Sequence, residues 1–191
     1  MPKSVLFDRD EVIKKVTDLF WEKGYNGTSM QDLVDVTGLN RSSIYNTFGD
    51  KFKLFNESLE YYRSFQNMLI DNAKSNTKTP KAAIELLFNG VWEQMNSTPE
   101  KGCYLSNCAT ELSNTDPRIF DFLSDNKETV VKNFKSLIED AQKIGEIDKN
   151  KKPEILANYL FSSLQGLRVT SMVDRDKQHI KGITDQILQS L

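Results

Sequence analysis

Histidine is nearly missing from this chain. His179 is the only one in 191 residues, and Cys103 and Cys108 are the only cysteines. A CxxxxC spacing matches no zinc pattern, and His179 is remote from it in sequence, so no metal site is expected. In a reducing cytoplasm such a pair stays as thiols. No apolar run approaches the roughly 18 residues of a membrane span. The first ten residues, Met1 to Asp10, are too charged and too poor in apolar side chains for a secretory signal, so a cytoplasmic location is expected. Charge of one sign is absent as well: 25 Lys and Arg stand against 27 Asp and Glu, a formal net charge of −2. A broad positive field that would attract nucleic acid is therefore excluded. Strand signals are almost absent too.

What is present is helical. Hydrophobic residues at 38% and charged residues at 27% suit a globular chain long enough to bury a core. Val12, Ile13, Val16, Leu19 and Phe20 share one helix face over about residues 8–23, with Asp8 as N-cap and Gly24 as stop. Thr28 or Ser29 caps a second helix burying Met30, Leu33 and Val34. Thr37-Gly38-Leu39 makes a turn, and Asn40 caps a third helix burying Ile44. Gly49-Asp50 opens a long fourth helix to about Ala73, with Phe52, Phe55, Leu59, Tyr62, Phe65 and Leu69 inward. Pro80 starts a fifth helix ending near Asn96, and a sixth covers about 103–113. A seventh begins at Asp116-Pro117, bends near Ser124-Asp125-Asn126 and reaches Gly145. Pro153 to Val173 and Gln178 to Leu191 form the eighth and ninth. The expected fold is all-α, with an N-terminal domain over 1–55 and a C-terminal helical domain over 56–191.

Residues 28–54 read as helix, tight turn, helix, an arrangement able to place its second helix in the major groove of DNA. Leu39 and Ile44 pin that helix against Leu33 and Val34, which turns Arg41, Ser42, Ser43 and Asn46 outward, toward base edges or phosphates. Tyr45 and Lys51 flank them at backbone height. The helix N-termini under Thr28 and Asp50 offer N–H groups to phosphate. Residues 1–55 balance eight basic against eight acidic side chains, but 38–53 carry a local +2 from Arg41, Lys51 and Lys53 against Asp50. Binding is therefore expected to be local and specific.

On these residues the sequence closely resembles the TetR (tetracycline repressor) family of bacterial transcription regulators. Thr28-Ser29-Met30 with Asp32-Leu33 resembles the family's entry to its second helix, Gly38-Leu39-Asn40 its turn, and Ser43-Ile44-Tyr45 with Phe48 and Lys51 its recognition helix and the lysine after it. Ser42 stands where many members have Gly, and Asn40 where Ser is commoner. The resemblance implies a homodimer on a near-palindromic DNA operator, released when a small-molecule effector binds the C-terminal domain. Repression is the usual outcome.

In the C-terminal half, Phe88, Trp92 and Met95 recur at helical spacing, as do Tyr104, Cys108 and Leu112, and Phe120, Leu123, Val130, Phe134 and Leu137. Such stripes serve either as core or as pocket lining. The resemblance places an effector site among helices five to eight, which makes Phe88, Trp92, Met95, Tyr104, Cys108 and Phe134 the candidate lining, suited to an apolar or aromatic effector. Residues 101–117 resemble a segment in one branch of the family that includes thiol sensors of electrophiles. Cys103 and Cys108 are accordingly either sensor thiols or small buried residues. Cys103 falls at a helix start, where the dipole favours thiolate.

Leu156, Leu160, Leu164 and Leu167 form one stripe on the eighth helix, and Ile180, Ile183, Ile187 and Leu191 another on the ninth. They fit the intermolecular four-helix bundle of the family's dimer, and in part the core. An enzyme finds no support: no paired carboxylates, nucleophile–base constellation or Gly-rich phosphate loop is present, and Glu85, Glu93 and Glu111 are scattered. No cofactor is implied. A helical adaptor that no longer binds DNA is the remaining alternative, favoured only by the neutral N-terminal domain.

Overall fold

The computed structural model describes residues 7–97 and 101–191, apart from the side chains of 92 and 94–97. The described residues form nine α-helices and no strand: α1 (Arg9–Gly27), α2 (Met30–Thr37), α3 (Arg41–Phe48), α4 (Lys51–Asn76), α5 (Pro80–Ser97), α6 (Tyr104–Leu112), α7 (Pro117–Lys143), α8 (Pro153–Val173) and α9 (Lys177–Gln189). Among them no helix is long and apolar enough to cross a membrane. The chain divides into two compact units, Met1–Phe65 and Gln66–Leu191.

In the first unit Asp8 caps α1 by accepting the N–H of Asp10 and Glu11. Val12, Ile13, Val16 and Phe20 face inward. Gly24 breaks the helix with φ +73°, a left-handed conformation that glycine adopts at little cost. The chain then curls so that Tyr25 meets Phe55 at 4.8 Å between ring centroids, while Phe20 meets Phe55 edge-on at 5.0 Å. Trp21 packs edge-on against Tyr62 at 5.2 Å. Each fully buried ring contributes roughly 1.5–3 kcal/mol. These contacts carry the first unit along α4 as far as Tyr62, beyond residue 55. Phe65 and Leu69, expected on the inner side of α4, are exposed.

The second unit closes around α5, α7, α8 and α9, with Ile84, Phe88, Phe134, Ile138, Ala157 and Leu160 at its centre. α7 runs unbroken through 124–126, where a bend was expected. Its inward positions follow an i, i+4 register, Phe122, Asn126, Val130 and Phe134, so Asn126 takes a core-facing place while Ser124 and Asp125 point outward. Ile119 is buried and Phe120 exposed, the reverse of the expected side.

The two stripes on α8 and α9, expected partly in the core and partly at a subunit interface, are internal to the chain. Leu156, Leu160, Leu164 and Leu167 are buried, as are Ile180, Ile187 and Leu191, and Ile183 packs on the same core. α8 lies against α5, α7 and α9, which use up its leucine face. Its outward face is a second stripe at alternating spacings of four and three: Ile155, Tyr159, Ser162, Gly166, Val169 and Val173, all exposed.

Candidate nucleic-acid interface and effector cavity

The first site is built from α2, its turn and α3. Ser29 caps α2 in a reciprocal box: its hydroxyl accepts the Asp32 N–H, and its own N–H donates to the Asp32 carboxylate at 2.8 Å. Lys23 donates to Asp32 at 2.6 Å. The Lys23 ammonium first, then the Ser29 hydroxyl and N–H, hold the Asp32 carboxyl well below the usual carboxylate range. Gly38 ends α2 in the left-handed conformation, φ +70°, with its N–H on the Val34 carbonyl at 2.9 Å. Asn40 then caps α3, its side chain accepting the Ser43 N–H at 2.8 Å.

Ile44 and Phe48 anchor α3, buried to 0% and 4% exposure. On the opposite face Arg41, Ser42, Tyr45 and Asn46 are exposed and Ser43 is half-buried. Tyr45 is 48% exposed. Arg41 reaches Gln31 of α2 at 3.5 Å. Lys51 sets its ammonium 4.4 Å from the centroid of Tyr25, and Asp50 caps α4 through the Lys53 N–H. Thr28 does not take the place expected of it. It is 1% exposed, and its hydroxyl donates to the Gly24 carbonyl at 2.6 Å, closing the break in α1. It neither caps α2 nor presents a group to a ligand.

The second site is a cavity of about 260 Å³ in the second unit, walled by the end of α4 and by α5, α6, α7 and α8. Phe134, one of the candidate lining residues, lies on its wall. Phe88, Tyr104 and Cys108 are buried without lining it, and the side chains of Trp92 and Met95 lie outside the described residues. Sequence reasoning missed Gln66, Asn126, Gln165 and Arg168. Arg168 follows Leu164 by one turn of α8, and a lone charge continuing an apolar stripe was the signal available.

The two cysteines separate. Cys103 is the N-cap of α6, lines the cavity and lies 3.4 Å from Arg168 Nη1 through its Sγ. Cys108 is buried inside the unit. Desolvation first, and the Glu111 carboxylate second, push its thiol up to about 12, which favours the protonated form. His179 sits exposed in the first turn of α9, with Nδ1 2.6 Å from the Asp174 carboxylate.

An exposed helix held by a glycine turn, in a chain whose second unit holds a cavity, is the arrangement of a helix-turn-helix regulator. The family profile described as "Bacterial regulatory proteins, tetR family" matches residues 13–58, and "Tetracyclin repressor-like, C-terminal domain" matches residues 80–187. The chain belongs to the TetR family. The HTH-type transcriptional repressor DhaR of Mycobacterium sp. (strain GP1) is 24% identical over 184 residues, covering 96% of this chain and 91% of DhaR. The HTH-type transcriptional regulator YezE of Bacillus subtilis (strain 168) is 29% identical over 186 residues, covering 94% and 96%. A cysteine mutant of the TetR family regulator CifR, solved with 26-base-pair operator DNA, superposes with a TM-score of 0.87 at 21% identity over 98% of each chain.

Proposed function

We propose that this transcriptional regulator is a homodimeric repressor that grips a near-palindromic operator through α3 and lets go when a small effector enters the cavity. The observation that carries the reading is the exposed face of α3, Arg41, Ser42, Tyr45 and Asn46, over the buried anchors Ile44 and Phe48. Arg41 and Asn46 read base edges, while Tyr45 and Lys51 hold phosphates. DhaR's name as a repressor and the operator complex of CifR support the same reading. The dimer forms through the outward stripe of α8, whose small Ser162 and Gly166 let a second helix approach closely.

The test is fluorescence anisotropy with duplex DNA from upstream of the protein's own gene, at low and high salt, with unrelated duplex as competitor. Salt-sensitive, competitor-resistant binding is expected. Binding that any duplex displaces would return the chain to the adaptor reading.

A second reading concerns release. Cys103 lines the cavity beside a guanidinium, so an electrophile entering there meets a thiol. Intact-protein mass spectrometry after exposure to an electrophile, read beside DNA affinity, tests it: one adduct on Cys103 with loss of binding supports it, and an adduct without loss removes it.

A further inference from the structure

Two buried polar atoms lack a hydrogen-bond partner among the described residues, Asn126 Oδ1 and Arg168 Nε. Both residues line the same cavity. A buried polar group left unsatisfied is costly, and two on one cavity wall are a ligand-shaped deficit. The two atoms need opposite things. Arg168 carries a permanent positive charge, and among the described residues no carboxylate lies within ion-pair distance of it. Its Nη1 is engaged by the Cys103 sulfur at 3.4 Å. That leaves the edge formed by Nε and Nη2, the edge that takes a carboxylate through two parallel bonds. Asn126 is 7% exposed, and its carbonyl oxygen calls for a donor such as a hydroxyl. The lining also includes apolar Leu86, Val130 and Phe134. Glu93 also lines the cavity, and its charge opposes a dianion such as a phosphate monoester. A cavity of about 260 Å³ suits a small molecule.

We propose that the effector is a small monoanionic carboxylic acid bearing a hydroxyl group. Its carboxylate pairs with Arg168, its hydroxyl donates to Asn126 Oδ1, and its apolar body lies on Phe134. This rests on the effector reading of the cavity and specifies it.

The experiment is isothermal titration calorimetry on the full-length protein with a panel of hydroxylated aromatic and aliphatic carboxylic acids led by 4-hydroxyphenylacetate. Each acid is paired with its methyl ester and with the analogue lacking the hydroxyl. At least one acid is expected to bind about tenfold or more tighter than its ester. Arg168→Gln should erase that preference and Arg168→Lys keep part of it, since lysine retains the charge without the fork. Asn126→Leu should erase the preference for the hydroxylated acid alone. Thermal melts establish that each variant is folded, and the lysine variant serves if the glutamine one is not. Esters equal to their acids, a preference that survives Arg168→Gln, or no binding by any acid would overturn the proposal. Acids that bind through Arg168 and leave operator affinity unchanged would instead uphold the ligand class and overturn the release reading.

Discussion

The side chain of Asn40 accepts the backbone N–H of Ser43 at 2.8 Å, and this bond fixes where α3 begins. Every exposed residue on α3 inherits its orientation from that start. Asn40→Ala should cost about 1 kcal/mol of stability, the usual value of a lost N-cap, and should weaken operator binding more than the melt alone suggests. Thermal denaturation read beside anisotropy checks both parts.

Replacing Arg41 or Asn46 with Ala should relax sequence preference by about 1–3 kcal/mol per base pair read. Replacing Tyr45 with Ala or Lys51 with Gln should weaken all duplexes alike, and the Lys51 change should also flatten the salt dependence. Competition against single-base operator variants separates the two patterns. A preference untouched by Arg41→Ala would move base reading elsewhere on α3.

Asp32 gives the first unit an acid-sensitive contact. Its carboxylate is favoured in the folded chain by Lys23 and Ser29. The stability it brings is therefore present above the unfolded carboxylate pKa of about 3.9 and is lost as pH falls through the lower folded value. Asp32→Asn should melt below the parent at neutral pH, with the gap closing in strong acid. A gap that persists in acid would assign the effect to the shape of the capping box rather than to charge.

Val169 stands 54% exposed on the outward stripe of α8. Val169→Glu should leave the fold intact, because the side chain is exposed, and, on the proposed dimer, should yield a monomer with loss of tight operator binding. Analytical ultracentrifugation and anisotropy on the same sample test it. A dimer unchanged by the substitution would place the interface on another face.

Cys108 should resist alkylation at mildly alkaline pH until the chain unfolds, since a thiol pushed up to about 12 is almost wholly protonated there. Peptide mapping after iodoacetamide treatment, with and without denaturant, reads this directly.

The legible parts of the sequence were the local ones. The caps at Asp8, Asn40 and Asp50 and the break at Gly24 depend on residues a few places apart, and each is where the sequence puts it. Thr28 and Ser29 show the limit of that logic: both can cap, and burial of Thr28 against Gly24 decides between them. α8 shows a deeper limit. It is apolar on two faces, and periodicity alone does not say which one its neighbours cover. Arg168 and Asn126 were hidden for a related reason, since a polar residue on a helix reads as surface until the walls around it are known.

Asn126 interrupts the otherwise apolar inward stripe of α7, Phe122, Val130 and Phe134. To a protein engineer seeking heat resistance, it is the obvious residue to exchange for leucine, and the melting temperature should reward the change. On the effector reading, the variant would also answer a hydroxylated acid no better than the analogue without the hydroxyl, its remaining response carried by Arg168. Here robustness and responsiveness compete for a single amide.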